Sequence, residues 1–152
     1  MKATIALLPG DGIGPEVTTA AVKMLQAVAS TYQHEFSFAE YEIGGCAIDL
    51  TGQALPGRTK VACESADAVL LGAVGGPQWA NSKTRPEQGL LELRATMQVF
   101  ANLRPVRVHA RTSSQSPIKA EYLKGVDLVF VRELTGGLYF GARTRSADSA
   151  SD

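Results

Sequence analysis

The stretch ATIALLPGDGIGPEV, residues 3–17, decides the fold. Ala3 to Leu8 is a short apolar run that ends in Pro9-Gly10-Asp11-Gly12, the pattern of a buried strand feeding a glycine-rich turn. Pro15 suits the first turn of a helix, where its missing N–H costs nothing, and Glu16 complements the positive end of the helix dipole. The pattern predicts a helix over residues 15–31. Val17, Ala21, Met24, Leu25 and Val28, at i, i+4, i+7, i+8 and i+11, read as its core face, with Thr18, Lys23 and Gln26 outward.

Working outward, Phe36 and Phe38 alternate with polar neighbours and predict a strand over 35–43, followed by a turn-rich stretch from Gly44 to Gly57. A short helix over 57–65 leads into Ala66 to Val74, in which the continuous apolar run Ala68 to Val74 fits a strand covered on both faces. Strand and helix alternate, which favours a mostly parallel sheet flanked by helices: an α/β fold.

Residues 75–85 read as a loop, and Pro86 opens a helix over 86–100. On it Leu90, Leu93, Met97 and Phe100 form one arc, and Glu87, Leu91 and Arg94 another, with Leu90 bordering both. The first arc is core; the second sets a carboxylate, a leucine and a guanidinium in a row. Asn102 to Val108 is extended, with Pro105 favouring an edge or strand start. Val126 to Arg132 is a strand, and Thr135-Gly136-Gly137 predicts a hairpin in which Arg132 faces Tyr139 or, with the loop shifted by one residue, Gly141. The segment 142–152 holds no apolar residue larger than Ala and is expected to be disordered.

Composition narrows the function classes. The chain has 152 residues, 15 Lys+Arg and 15 Asp+Glu, so it lacks the basic stripe that nucleic acid or an acidic membrane would need. No apolar run approaches the ~20 residues that span a bilayer, and an acid follows the first strand too soon for a signal-peptide core, which predicts a cytoplasmic protein. Two cysteines, Cys46 and Cys63, and two histidines suggest neither a disulfide framework nor a zinc site.

Gly10-Asp11-Gly12-Ile13-Gly14 only partly meets the dinucleotide fingerprint: the third glycine comes one residue early, and Pro15 removes a potential N–H donor. A tight strand-to-helix turn and a cofactor-facing loop of another architecture both stay open. Arg94, Arg104 and Arg132 each fall near the end of a predicted element, and three converging guanidinium forks would suit a small polycarboxylate. Tyr139 could donate a proton or simply pack, and Trp79 could stack on a ring or plug its loop.

PGDGIGPEV at 9–17, LLGAVGGPQW at 70–79, RPEQGLLELR at 85–94, FANLRPV at 100–106 and VRELTGGLYFG at 131–141 occur in order. Together they resemble the N-terminal part of the β-decarboxylating dehydrogenases, the family of the isocitrate and 3-isopropylmalate dehydrogenases. The resemblance implies a truncated isocitrate/isopropylmalate dehydrogenase-like fold that binds NAD without a Rossmann fold. It divides the chain into 1–100, part of a first α/β domain, 101–141, the start of a second, and the tail 142–152.

The activity implied is oxidation of the 2-hydroxyl of 3-isopropylmalate by NAD with metal-assisted decarboxylation, giving the 2-oxo acid of leucine biosynthesis. By motif position, Arg94, Arg104 and Arg132 match the substrate-carboxylate arginines, Tyr139 the catalytic tyrosine, and Gly76, Pro77, Gln78, Trp79 and Glu87 part of the NAD site. Leu90 and Leu91 match the isopropyl pocket, where the third carboxylate of isocitrate would lie desolvated and unpaired. A homodimer is implied, as are Mg2+ or Mn2+ ligands further along than this chain reaches. The sequence departs from the family pattern after Gly141, as a truncation or frameshift product would, so exposed sheet edges, apolar helix faces and loss of activity are expected. A non-catalytic carboxylate- or nucleotide-binding fragment and a sister enzyme for tartrate or isocitrate are the alternatives.

Overall fold

Strand β1 (Lys2–Gly10) lies between β2 (Glu35–Glu40) and β3 (Ala68–Ala73), parallel to both, with Ile5 opposite Phe38 on one side and Ala68 on the other. The computed structural model describes residues 1–109, 111, 113–134 and 144–151, and the chain divides into two compact units, Met1–Met97 and Gln98–Asp152. In the first unit the sheet carries helices on both faces. Helix α1 (Gly14–Tyr32) covers the side of Leu7 and Pro9, leaving an open groove of about 470 Å³ that Val22, Lys23 and Glu40 also line. On the other side Ala6 and Leu8 pack with Cys63 of α3 (Gly57–Ser65), with Leu93 of α4 (Pro86–Thr96), and with Ile43 and Leu55 from the loops on either side of α2 (Gly45–Thr51). Leu8 and Ile43 are fully buried, each contributing ~1.5–3 kcal/mol.

The inner face of α1 is not the one its apolar spacing suggests. Thr18 is buried, while Val17, Met24 and Val28 are 45%, 67% and 40% exposed. The cause is the close approach at the helix start: a β-carbon on Gly14 would stand 2.0 Å from the Pro9 carbonyl oxygen, so Gly14 and, one turn on, Thr18 face the sheet. Half-buried Ala21, Val22, Leu25 and Ala29 continue that line.

Three further expectations change. Strand β3 is half-buried rather than covered on both faces, because among the described residues it lies at the sheet edge and β1 takes the centre. The stretch 44–57 contains α2, which ends at Gly52 in the left-handed region (φ 76°). Helix α4 stops at Thr96, with Gln98 left-handed at φ 52°, so Phe100 leaves the core arc and is 72% exposed.

In the second unit β4 (Ala101–Arg107) pairs antiparallel with β5 (Asp127–Glu133), from Ala101 opposite Glu133 to Arg107 opposite Asp127, which also form an ion pair at 2.8 Å. Pro105 fits because each strand of a two-stranded ribbon is an edge. The four-residue helix α5 (Ala120–Leu123) contributes the buried Leu123. Leu103, Phe130 and Val131 are 60–70% exposed, at 64%, 60% and 70%. The predicted hairpin at Thr135-Gly136, with Tyr139, lies outside the described residues. The tail does not lack structure throughout: β6 (Thr144–Arg145) pairs antiparallel with β7 (Ala150–Ser151). Ser146 closes the turn by accepting the N–H groups of Asp148 and Ser149 on its hydroxyl, the local bonding that Ser offers where packing is absent.

Candidate functional site

The carboxyl ends of β1 and β3 open on the same rim of the first unit, the side on which open α/β sheets bind ligands. Asp11 follows β1 and Gly75 follows β3. From Gly75 the chain runs through Gly76 into a 3-10 turn, Pro77–Trp79, and then to α4. The Trp79 ring is buried against Gly45, where any β-carbon would lie 2.2 Å from it, and its indole N–H donates to Asp49 at 3.1 Å. Trp79 therefore plugs the loop onto α2. Pro77, Gln78 and Glu87 are exposed on the rim, and Gly76 is half-buried.

Helix α4 opens with the Arg85 backbone N–H donating to the Gln88 side chain at 3.1 Å and with Pro86 in its first turn. Glu87 Oε1 lies 3.0 Å from where a β-carbon on Gly75 would stand, and its Oε2 is 3.7 Å from Arg85 Nε. Leu93 enters the core while Leu90, Leu91 and Arg94 are half-buried. Glu87, Leu91 and Arg94 recur at i, i+4 and i+7, so the row expected from the sequence stands on one face of the helix.

In the second unit Arg104 and Arg132 share one face of the ribbon. Residues directly opposite in an antiparallel pair share a face, and Asn102 faces Arg132 while Arg104 faces Phe130 two positions along. Arg104 Nε–H donates to Asn102 Oδ1 at 2.8 Å. A guanidinium fork matches the two oxygens of a carboxylate, so this face carries two groups with that donor geometry. Arg94 belongs to the first unit.

Sequence reasoning passed over Asp11, quoted only as part of the turn. It is 4% exposed, and its carboxylate accepts the backbone N–H groups of Gly45, Cys46 and Gly75, each at 2.8 Å. An acid set between two glycines at a strand end was the available signal. Beside it the Cys46 thiol is pushed up from its ordinary range, by burial first and by the negative Asp11 as well. Among the described residues no three His, Cys, Asp or Glu side chains gather as a metal-ligand set.

Known proteins share both the sequence and the fold. The family model described as isocitrate/isopropylmalate dehydrogenase matches residues 4–152. The chain belongs to this family. The family model's match runs through residue 152, whereas the alignments to the curated relatives take in about 93% of the chain. The 3-isopropylmalate dehydrogenase of Bacillus licheniformis is 61% identical over 143 residues, covering 93% of this chain and 39% of that protein. That of Bacillus subtilis is 57% identical over 143 residues, with the same coverage of 93% and 39%. Among solved structures, the isocitrate dehydrogenase of Methylococcus capsulatus superposes with a TM-score of 0.72 at 27% identity, over 97% of this chain and 40% of that one. A β-decarboxylating dehydrogenase of Thermococcus kodakarensis, in its apo form, gives 0.69 at 32% identity, over 98% and 39%. The chain thus spans about two-fifths of the length of the relatives it matches.

Proposed function

We propose that this chain is the N-terminal portion of an NAD-dependent 3-isopropylmalate dehydrogenase, serving leucine biosynthesis in the cytoplasm. The observation that carries the reading is the pair Leu90 and Leu91, half-buried on the helix that also bears Glu87 and Arg94. A leucine pair offers nothing to a third carboxylate, and burying an unpaired charge there costs several kcal/mol or more, about enough to exclude isocitrate. An isopropyl group fits instead.

Each residue then has a role. Arg94, Arg104 and Arg132 bind and orient the two carboxylates of the substrate, fixing its hydroxyl-bearing carbon. Glu87 accepts hydrogen bonds from the amide of the nicotinamide, and Gly76, Pro77 and Gln78 line the cofactor path that Trp79 anchors. NAD, when bound, accepts the hydride. Tyr139 returns a proton to the carbon that loses carbon dioxide. The divalent cation, Mg2+ or Mn2+, is assigned ligands in the part of the relatives' length that this chain does not span, as is the partner surface of a homodimer. Alone, the 152 residues lack dehydrogenase activity.

The test is an NADH assay. The 152-residue chain with 3-isopropylmalate, NAD and Mg2+ should form none. Replacing the aligned 143 residues of the Bacillus licheniformis relative with those of this chain should restore turnover. Turnover by the short chain, or an inert chimera that folds, would refute the reading.

A further inference from the structure

We infer that Asp11 is a positioning residue of the proposed cofactor site, holding the Gly75–Glu87 loop in the shape in which Glu87 meets its ligand. This rests on the cofactor reading above and adds to it a residue that does not itself touch the ligand.

The argument starts from valence. A carboxylate only accepts hydrogen bonds, and Asp11 meets three donors from two distant segments: Oδ2 takes Gly45 and Gly75, and Oδ1 takes Cys46, each at 2.8 Å. Its own N–H donates to the Ala73 carbonyl at 2.6 Å, so the residue is tied to β3 from both ends. These bonds form a closed circuit. Asp11 fixes Gly75, the chain continues to Trp79, the Trp79 ring packs on Gly45, and Gly45 bonds back to Asp11. Glu87 Oε1 stands against Gly75, so the position of that glycine sets the carboxylate that faces the ligand. Charge-assisted bonds are about twice as strong as neutral ones, and the accepting carboxylate, on a residue 4% exposed, has little water to turn to instead.

Asn in this place has one acceptor and two donors, so at least one of the three N–H groups loses its partner. The experiment compares the 152-residue chain with Asp11→Asn and with Thr59→Val, which removes a buried hydroxyl donating to the Glu42 carbonyl at 2.9 Å. Amide exchange is read at Gly45, Cys46 and Gly75, emission from Trp79, the single tryptophan, and affinity for NAD by titration. Asp11→Asn should speed exchange at the three amides, shift Trp79 emission to the red and weaken NAD about tenfold or more, the equivalent of one buried bond. Thr59→Val should lower the unfolding midpoint without these local changes. In the unsubstituted chain the three amides should open together, at one common protection factor, which needs no variant to fold. Gly75 exchanging independently of Gly45 and Cys46, an unchanged Trp79 signal in a folded Asp11→Asn chain, or the same local changes in Thr59→Val would overturn the inference. Failure of the unsubstituted chain to take up NAD would count against the cofactor reading alone, because exchange and emission still report on Asp11.

Discussion

Arg104 donates its Nε–H to the side-chain carbonyl of Asn102, and Asn102 is the residue directly across the ribbon from Arg132. One amide thus orients the first arginine beside the second. Asn102→Ala frees Arg104 to adopt other rotamers, so in the chimeric enzyme KM for 3-isopropylmalate should rise a few-fold. Arg104→Ala or Arg132→Ala removes hydrogen bonds to a charged group, each worth ~1.5–3 kcal/mol, and should lower kcat/KM by about tenfold to a hundredfold. Steady-state kinetics check both, and an Arg104→Ala enzyme as efficient as its parent would remove the clamp from the account.

The proposed function puts the choice of substrate on Leu90 and Leu91. Exchanging either for Ser puts a hydroxyl where isocitrate carries its third carboxylate, and the ratio of kcat/KM for isocitrate over 3-isopropylmalate should increase. An unaltered ratio in a folded double variant would place specificity elsewhere.

Stability should follow observed burial and not the apolar spacing of α1. Leu8→Ala, in the fully buried centre of the first unit, is expected to cost ~2–5 kcal/mol, whereas Met24→Ala, 67% exposed, should stay within ~0.5 kcal/mol. Urea midpoints of the two variants test this, and equal losses would show that Met24 is covered in solution.

The thiols of Cys46 and Cys63 both lie above the ordinary thiol range. Burial raises both, and Glu64 adds to the effect at Cys63. A raised thiol favours the neutral form in the folded chain, so this contribution is complete below the ordinary thiol range and is lost as pH rises through the folded value. Folding stability should therefore decline above that range. Iodoacetamide at neutral pH should label half-buried Cys46 slowly and Cys63, 2% exposed, only on unfolding. Asp11→Asn should speed the labelling of Cys46, since Asp11 adds to its upward shift.

The parallel β-α-β start was legible because Ala3 to Leu8 and the Pro15-Glu16 helix signal act within a few residues of one another. The inner face of α1 was not, since the 2.0 Å approach at Gly14 is a tertiary constraint that overrides apolar spacing. Helix α2 was hidden because a seven-residue helix between glycines has too few turns to display a period. The α4 row of Glu87, Leu91 and Arg94 followed directly from helical spacing. Asp11 became visible only when the fold brought the N–H groups of residues 45, 46 and 75 onto one carboxylate, up to 64 positions away in the chain. The tail ladder depends on Ser146 bonding its own turn, a local effect that low apolar content does not reveal.

The proposed function makes these residues the N-terminal portion of a 3-isopropylmalate dehydrogenase, with Leu90 and Leu91 selecting its substrate. The most direct measurement is the ratio of kcat/KM for 3-isopropylmalate over isocitrate, with NAD, in the chimera carrying the aligned portion of this chain. The account predicts a ratio of about a hundredfold or more, the size expected when one substrate must bury an unpaired carboxylate. A ratio near one, or one that favours isocitrate, would contradict it.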